Sequence, residues 1–229
     1  MTSSYSTDIV IFGGGIAGLW MLNCLRNQGY QAILLETDKL GSGQTLASQG
    51  IIHGGLKYAL NGALGGAANI ISDMPARWRS CLAGEAEIDL RECRVLSERY
   101  YMWSSSGFRS KLKTFLGSKS LSGRVTAVKK QDYPDFFKAA TVEGILYKLP
   151  DFVVDTNSLL NLLVEKQRNW IFQISPGSYR FKRDESRLVK AISFNDKDKQ
   201  FTLEAQKFIF SAGKGNQQLI DDANLAEPK

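Results

Sequence analysis

Hydrophobic residues follow two rhythms along this chain, and the switch between them marks the first elements. Residues 8–12, Asp-Ile-Val-Ile-Phe, form a short β-branched and aromatic run that ends in three glycines, the pattern of a buried parallel strand. After the glycines, Ala17, Trp20, Met21, Cys24 and Leu25 recur at helical spacing. They predict one apolar stripe on a helix that ends at Gly29. Residues 31–36 predict a second strand, so the chain opens with a βαβ unit.

Further along, Asp73-Met-Pro75 predicts a capped helix start running through Arg77, Trp78 and Cys81. Strand-like runs follow at residues 94–103, 123–128 and 145–149, with a basic, Ser-rich segment over 104–122 between the first two. Residues 151–155 lead into a helix over 158–166. Short strands are then predicted near 170–174, 188–194 and 201–204, before a hydrophobic strand that ends in Ser-Ala-Gly.

Inside the βαβ unit lies Gly13-x-Gly15-x-x-Gly18, with Ile16 and Ala17 filling the last gap. Gly13 permits the tight turn, Gly15 lets a pyrophosphate approach the positive end of the helix, and Gly18 lets helix and strand pack closely. Glu36 closes the second strand 18 residues beyond Gly18, with Thr37 after it. Its carboxylate can accept hydrogen bonds from both adenosine ribose hydroxyls, and it repels a 2′-phosphate, which disfavours NADP. These features predict dinucleotide binding without separating NAD from FAD.

Composition narrows the class. At 229 residues the chain can bury one good core, or one domain and part of a second. Apolar content of 43% and charge of 23% are ordinary for a globular protein. The net charge of +6 is scattered, and Lys111, Lys113, Lys129 and Lys130 are too few for a nucleic-acid stripe. Cys24, Cys81 and Cys93 lack metal spacing and read as reduced thiols, and His53 is the only histidine, so no metal site is expected. The uncharged stretch 9–25 holds four glycines and follows Asp8, so it is neither a signal peptide nor a membrane span. The expected location is the cytoplasm, or the periphery of the inner membrane.

Residues 41–58, Gly-Ser-Gly-Gln-Thr-Leu-Ala-Ser-Gln-Gly-Ile-Ile-His-Gly-Gly-Leu-Lys-Tyr, have little periodicity and many small or hydroxyl side chains, yet embed Ile51, Ile52 and Leu56. Such a run suits backbone lying against a ligand better than a solvated loop. Together with Gly13–Gly18 and Glu36, it resembles the FAD-binding fold shared by D-amino-acid oxidases, glycerol-3-phosphate dehydrogenases and 2-hydroxyglutarate oxidases. The Ile-His-Gly-Gly-Leu-Lys-Tyr run comes closest to the glycerol-3-phosphate dehydrogenase branch. The later Ser211-Ala212-Gly213 resembles the superfamily's second glycine motif, beside the FAD pyrophosphate.

The resemblance implies an α/β fold: a Rossmann-like FAD-binding domain, a parallel sheet with helices and a small β-meander, with a partial mixed-sheet substrate domain inserted. Residues 1–85 and 151–229 are then the two parts of the FAD-binding domain, and 86–150 the partial substrate domain. By the same resemblance Ser42, Gln44 and Thr45 lie near the diphosphate. Ser48, Gln49, Ile52, His53 and Gly54 lie near the flavin ring. The superfamily chain continues beyond the second glycine motif, whereas thirteen residues follow Asn216 here, so a truncated gene or a fragment is expected, with an open sheet edge, low stability and weak FAD affinity.

His53 has three open readings: a histidine satisfied by backbone in a tight turn, a residue that positions the flavin, or an 8α-histidyl link. Lys57 stands where the glycerol-3-phosphate dehydrogenases have an arginine that holds substrate phosphate. Lysine keeps the charge and loses the bidentate fork, so phosphate, carboxylate and plain solvent exposure all stay open. Tyr58 and Tyr100 are candidate proton partners, and Arg77, Arg91, Arg94 and Arg99 are either an anion clamp or surface charge. The weak catalytic candidates are His53, Lys57 and Tyr58, and no base is identified. The function implied is an FAD-dependent oxidoreductase that takes a hydride from a C–H bond of a small, anionic hydroxy acid, amino acid or polyol phosphate. The electron acceptor is not defined. The alternatives are a non-catalytic or truncated FAD/nucleotide-binding module, and an NAD enzyme, which leaves the Ser-x-Gly-Ile-Ile-His-Gly-Gly run unexplained.

Overall fold

The structure, a computed structural model, describes residues 2–55, 71–104, 125–139, 144–196 and 199–225. In chain order its first elements are β1 (Thr2–Phe12), α1 (Ile16–Asn27), β2 (Ala32–Glu36), α2 (Gln44–Ala47) and β3 (Ile51–Ile52). Then come α3 (Met74–Ala83), β4 (Val95–Ser97), β5 (Tyr100–Ser104), β6 (Thr126–Ala127), α4 (Asp135–Lys138), β7 (Ile145–Leu149) and β8 (Phe152–Val154). The last are α5 (Thr156–Gln167), β9 (Ile171–Gln173), β10 (Tyr179–Arg183), β11 (Val189–Asp196), β12 (Lys199–Phe210) and α6 (Asn216–Asp222). They fall into two units. The described residues of the first lie within Met1–Ser48, Glu87–Glu92 and Thr156–Lys229, and those of the second within Gln49–Ala86 and Cys93–Asp155.

The first unit is built on one six-stranded sheet of order β10-β11-β12-β1-β2-β9. The pairs β12–β1, β1–β2 and β2–β9 are parallel, while β10, β11 and β12 form an antiparallel meander. This is the mixed α/β, Rossmann-like arrangement with a small meander that the sequence implied. Val10, Ile11 and Leu34 are fully buried, as strands covered on both faces require. Phe12 packs against Tyr179, Phe181 and Phe210 at ring-centre distances of 5.4–5.6 Å, which ties the meander to the parallel strands.

Three predicted elements change extent or orientation. β1 begins at Thr2 rather than residue 8, because its polar half pairs in register with β12, from Thr2↔Gln200 to Phe12↔Phe210. The ladder, not burial, holds that half, and Tyr5 stays 60% exposed. The separate strands predicted near 201–204 and 207–210 are therefore one. The buried face of α1 is Gly18, Leu19, Leu22 and Asn23, not the predicted stripe of Ala17, Trp20, Met21, Cys24 and Leu25. Counting apolar side chains missed Asn23. Its amide donates to the carbonyls of Leu19 (2.9 Å) and Leu163 (3.1 Å) and accepts from Gln167, so a polar residue faces α5 fully satisfied.

Among its described residues the second unit holds two small antiparallel sheets, β3-β8-β4 and β5-β7-β6. Trp103 on β5 stacks on Phe137 of α4 at 5.9 Å, and the Tyr133 hydroxyl accepts the Leu146 N–H at 3.0 Å. Asp73 precedes α3, but its side chain makes no cap; its carbonyl accepts the Arg77 N–H instead. α5 starts at Thr156, two residues before the predicted start. Leu56, Lys57, Tyr58 and the basic segment 105–122 lie outside the described residues.

Candidate functional site

The glycine turn lies at the C-terminal ends of β1, β2 and β12, where open α/β sheets bind ligands. Gly13 has φ +110°, and a Cβ there would sit 2.5 Å from the Ser211 carbonyl oxygen. At Gly18 a Cβ would overlap the Gly13 carbonyl oxygen. Both positions therefore exclude any side chain. The turn is closed by the Gly13 N–H donating to the Leu35 carbonyl at 2.9 Å and by the Gly41 N–H donating to the Gly14 carbonyl at 2.9 Å. Gly15 stands at the N-cap of α1 without a capping side chain. Thr45 supplies one from a distance: its Oγ1 accepts the Ile16 N–H at 2.8 Å.

Glu36 is held across the mouth of this turn. One carboxylate oxygen accepts the Gly14 N–H, and the other accepts the N–H groups of Thr37 (2.7 Å) and Asp38 (2.9 Å). The Thr37 hydroxyl adds a longer contact to the same oxygen as its own N–H, at 3.4 Å, so the oxygen facing Gly14 keeps the more open lone-pair capacity. Beside it opens a cleft of about 360 Å³, walled by Phe12, Leu35, Tyr179, Arg180 and Leu219. Tyr179 is nearly buried there, and burial followed by the Asp222 carboxylate pushes its phenol above the usual range.

The remaining predicted positions distribute as follows. The Ser42 hydroxyl donates to Asp38 at 3.0 Å and helps hold that carboxyl below its usual range, after the Lys39 N–H. Gln44 opens α2, and the Ser48 hydroxyl donates to the Thr45 carbonyl at 3.0 Å. The Ser211 hydroxyl donates to the Phe12 carbonyl at 2.8 Å and locks β12 to β1, while the Ala212 N–H donates to Asn216 at 2.7 Å. Gly213 begins the turn that follows. Gln49, Ile52, His53 and Gly54 belong to the second unit. There the Gly54 N–H donates to Asp151 Oδ1 at 3.0 Å and the Gly55 N–H to His53 Nδ1 at 3.2 Å. Sequence reasoning treated Asp151 only as part of a re-entry segment. Burial pushes its carboxyl above the usual range, against the pull of the Gly54 N–H and of His53.

Of the four candidate arginines, Arg91 belongs to the first unit and Arg77, Arg94 and Arg99 to the second, where Arg77 lies on α3. Arg91 is bound by Asp89 in the first unit, and Arg94 pairs with Asp155 in the second. Arg99 instead shares a cleft of about 510 Å³ with Arg79 and Lys148. Arg79 there is held by Glu98 at 2.9 Å and lies 4.3 Å over the Phe152 ring. Among the described residues no helix is long and apolar enough to cross a membrane.

These features fit the adenosine diphosphate end of a dinucleotide. Gly13 and Gly18 admit no side chain, backbone N–H groups orient the Glu36 carboxylate, and the adjoining cleft is of ligand size. Fold and site thus define a dinucleotide-binding α/β protein. Residues 8–168 match the family described as FAD dependent oxidoreductase, and the chain belongs to that family. Over 228 residues it is 40% identical to the "Probable FAD-dependent oxidoreductase PA4991" of Pseudomonas aeruginosa, covering 100% of this chain and 56% of that protein. The crystal structure of the same protein superposes with TM-score 0.76, covering 100% of this chain and 53% of that chain. A segment of 59 residues, 26% of this chain and 10% of the other, is 39% identical to a subunit of the anaerobic glycerol-3-phosphate dehydrogenase of Haemophilus influenzae. Glycine oxidase from Geobacillus kaustophilus shares the fold, with TM-score 0.71 at 15% identity over 97% of this chain and 59% of that one. The chain spans about half the length of the full-length relatives it matches.

Proposed function

We propose that this chain supplies the FAD-binding part of an oxidoreductase that takes a hydride from the C–H bond of a small hydroxy acid, amino acid or polyol phosphate. The observation that carries the reading is Glu36, fixed by three backbone N–H groups beside a turn that excludes side chains at Gly13 and Gly18, next to a cleft of about 360 Å³. In this reading Gly13, Gly15, Ile16, Ala17 and Gly18 approach the diphosphate with Ser42, Gln44 and Thr45. Glu36 and Thr37 hold the ribose end, and Ser211, Ala212 and Gly213 close the turn. Ser48, Gln49, Ile52, His53 and Gly54 serve the isoalloxazine end, as the resemblance implies. FAD itself supplies the acceptor for the electron pair and hydrogen of the cleaved C–H bond. The protein's part is orientation and charge.

An anionic substrate is supported by the cleft of the second unit, where Arg99 and Lys148 stand beside an Arg79 already matched by Glu98. Glycerol-3-phosphate dehydrogenase similarity over part of the chain favours a polyol phosphate within that class. An absorbance spectrum of the purified protein, before and after acid precipitation, tests the reading. Flavin bands are expected, and colour left in the acid pellet shows a covalent flavin and favours His53 as its site. A colourless protein that takes up no added FAD overturns the proposal.

A further inference from the structure

Asp151 is a buried carboxylate, 6% exposed, that no residue of the proposed machinery accounts for. Its place follows from strand register. β3 and β8 pair antiparallel as Ile51↔Val153 and Ile52↔Phe152, and the Val154 N–H continues the ladder to the Gly50 carbonyl at 2.9 Å. The next step of the same register sets His53 opposite Asp151. Where the ladder ends, the chain turns through two glycines whose N–H groups point to different acceptors. Gly54 donates to Asp151 Oδ1 at 3.0 Å, and Gly55 donates to His53 Nδ1 at 3.2 Å. A carboxylate on one strand and an imidazole on the other therefore clamp the turn between them.

This arrangement fixes a chemical property of the only histidine in the chain. A ring nitrogen that accepts an N–H carries no proton itself, so the neutral imidazole holds its proton on Nε2. If the turn relaxes, Nδ1 loses the Gly55 donor that favours the proton on Nε2. Burial of Asp151 is unfavourable to its charge. Retaining a carboxylate there, when an apolar residue would bury more easily, points to work done by its acceptor oxygen.

We propose that Asp151 is the positioning residue of His53, holding the turn over residues 52–55 so that the imidazole is presented as an Nε2–H donor. Its service to a bound flavin rests on the reading given under the proposed function; its action on the tautomer does not. The full chain labelled with ¹⁵N-histidine gives a single imidazole to follow by long-range ¹H–¹⁵N NMR, without any cofactor. The wild-type protein is expected to show the Nε2–H tautomer. Asp151→Asn keeps an acceptor oxygen for Gly54 and is expected to retain it. Asp151→Ala and Asp151→Leu remove the acceptor and are expected to shift the ring toward a mixture. The two are made together, so that loss of folding in one leaves the other to decide.

Fluorescence titration with FAD supplies the second reading. Asp151→Ala is expected to weaken binding about tenfold, and Asp151→Asn less than about threefold, the size of one lost against one retained hydrogen bond. An Nδ1–H ring in the wild type, or an unchanged tautomer in both acceptor-free variants, overturns the proposal. A wild type that binds no FAD while the tautomer follows Asp151 overturns the flavin reading alone.

Discussion

The two units of this chain keep their chemistry at different distances in sequence. In the first, the glycine turn, the helix it opens and Glu36 lie within one contiguous βαβ stretch, so spacing alone brings them together. In the second, the Gly54 N–H and the carboxylate that receives it are 97 residues apart, and only the pairing of β3 with β8 joins them. Among the described residues the first unit also rests on one sheet of six strands, the second on two sheets of three. A site written in local sequence is therefore backed by a continuous core. The site written in strand register is backed by short ladders.

The largest effect that sharpens this contrast is expected at Gly18. Gly18→Val forces a side chain into the Gly13 carbonyl, which is backbone and cannot swing away, and against the Ser211 hydroxyl. A loss of about 4 kcal/mol or more is expected in denaturant unfolding, at the severe end for overpacking against backbone. A variant that melts like the wild type would show that α1 does not rest on the turn.

Next comes the polar staple between α1 and α5. Asn23→Ala removes an amide that serves two carbonyls and Gln167 at a site 1% exposed. About 2 kcal/mol is expected, mostly from the partners left unsatisfied, and Asn23→Leu should not restore it. Full recovery by leucine would make the contact a matter of packing alone.

Glu36 tests binding rather than folding. Glu36→Ala is expected to raise the FAD dissociation constant by roughly 10- to 100-fold, about 1.5–3 kcal/mol for hydrogen bonds to a charged acceptor. Melting temperature measured without FAD checks how much of that loss comes from freeing Gly14, Thr37 and Asp38.

What was legible in the sequence follows the same division. The βαβ unit, its glycines and Glu36 were readable because each rule acts over a few residues. β10 was missed although Tyr-Arg-Phe-Lys-Arg alternates apolar and polar in the manner of a half-buried strand. The charged positions outnumber the apolar ones, and only packing of Tyr179 and Phe181 on Phe12 makes the run a strand. The polar half of β1 was invisible because its stabilisation comes from a ladder with residues some 200 positions away. Asn23 was passed over because apolar counting cannot see a buried amide whose partners lie on another helix. Asp151 shows the same limit at the candidate site.

The smallest expected effect lies at that residue and depends on the sign of its shift. Burial raises the folded-state carboxyl of Asp151 above its ordinary value of 3.8, so the folded protein holds that proton more tightly than the unfolded chain. Stability from this group is then fully present below the ordinary carboxylate range and is lost as pH rises through the raised folded value. Asp151→Asn has no such proton. The difference in melting temperature, variant minus wild type, should grow more positive as pH rises from about 3.8 through that window, then level off. The Gly54 N–H and His53 both work against burial, so the change is expected to be small. Carboxylates elsewhere titrate alike in both proteins and cancel in the difference when they lie far from the site. A difference that falls with pH would mean that the Gly54 donor and His53 outweigh burial. The second unit would then hold an acid stabilised as firmly by its neighbours as the Glu36 carboxylate is by the glycine turn of the first.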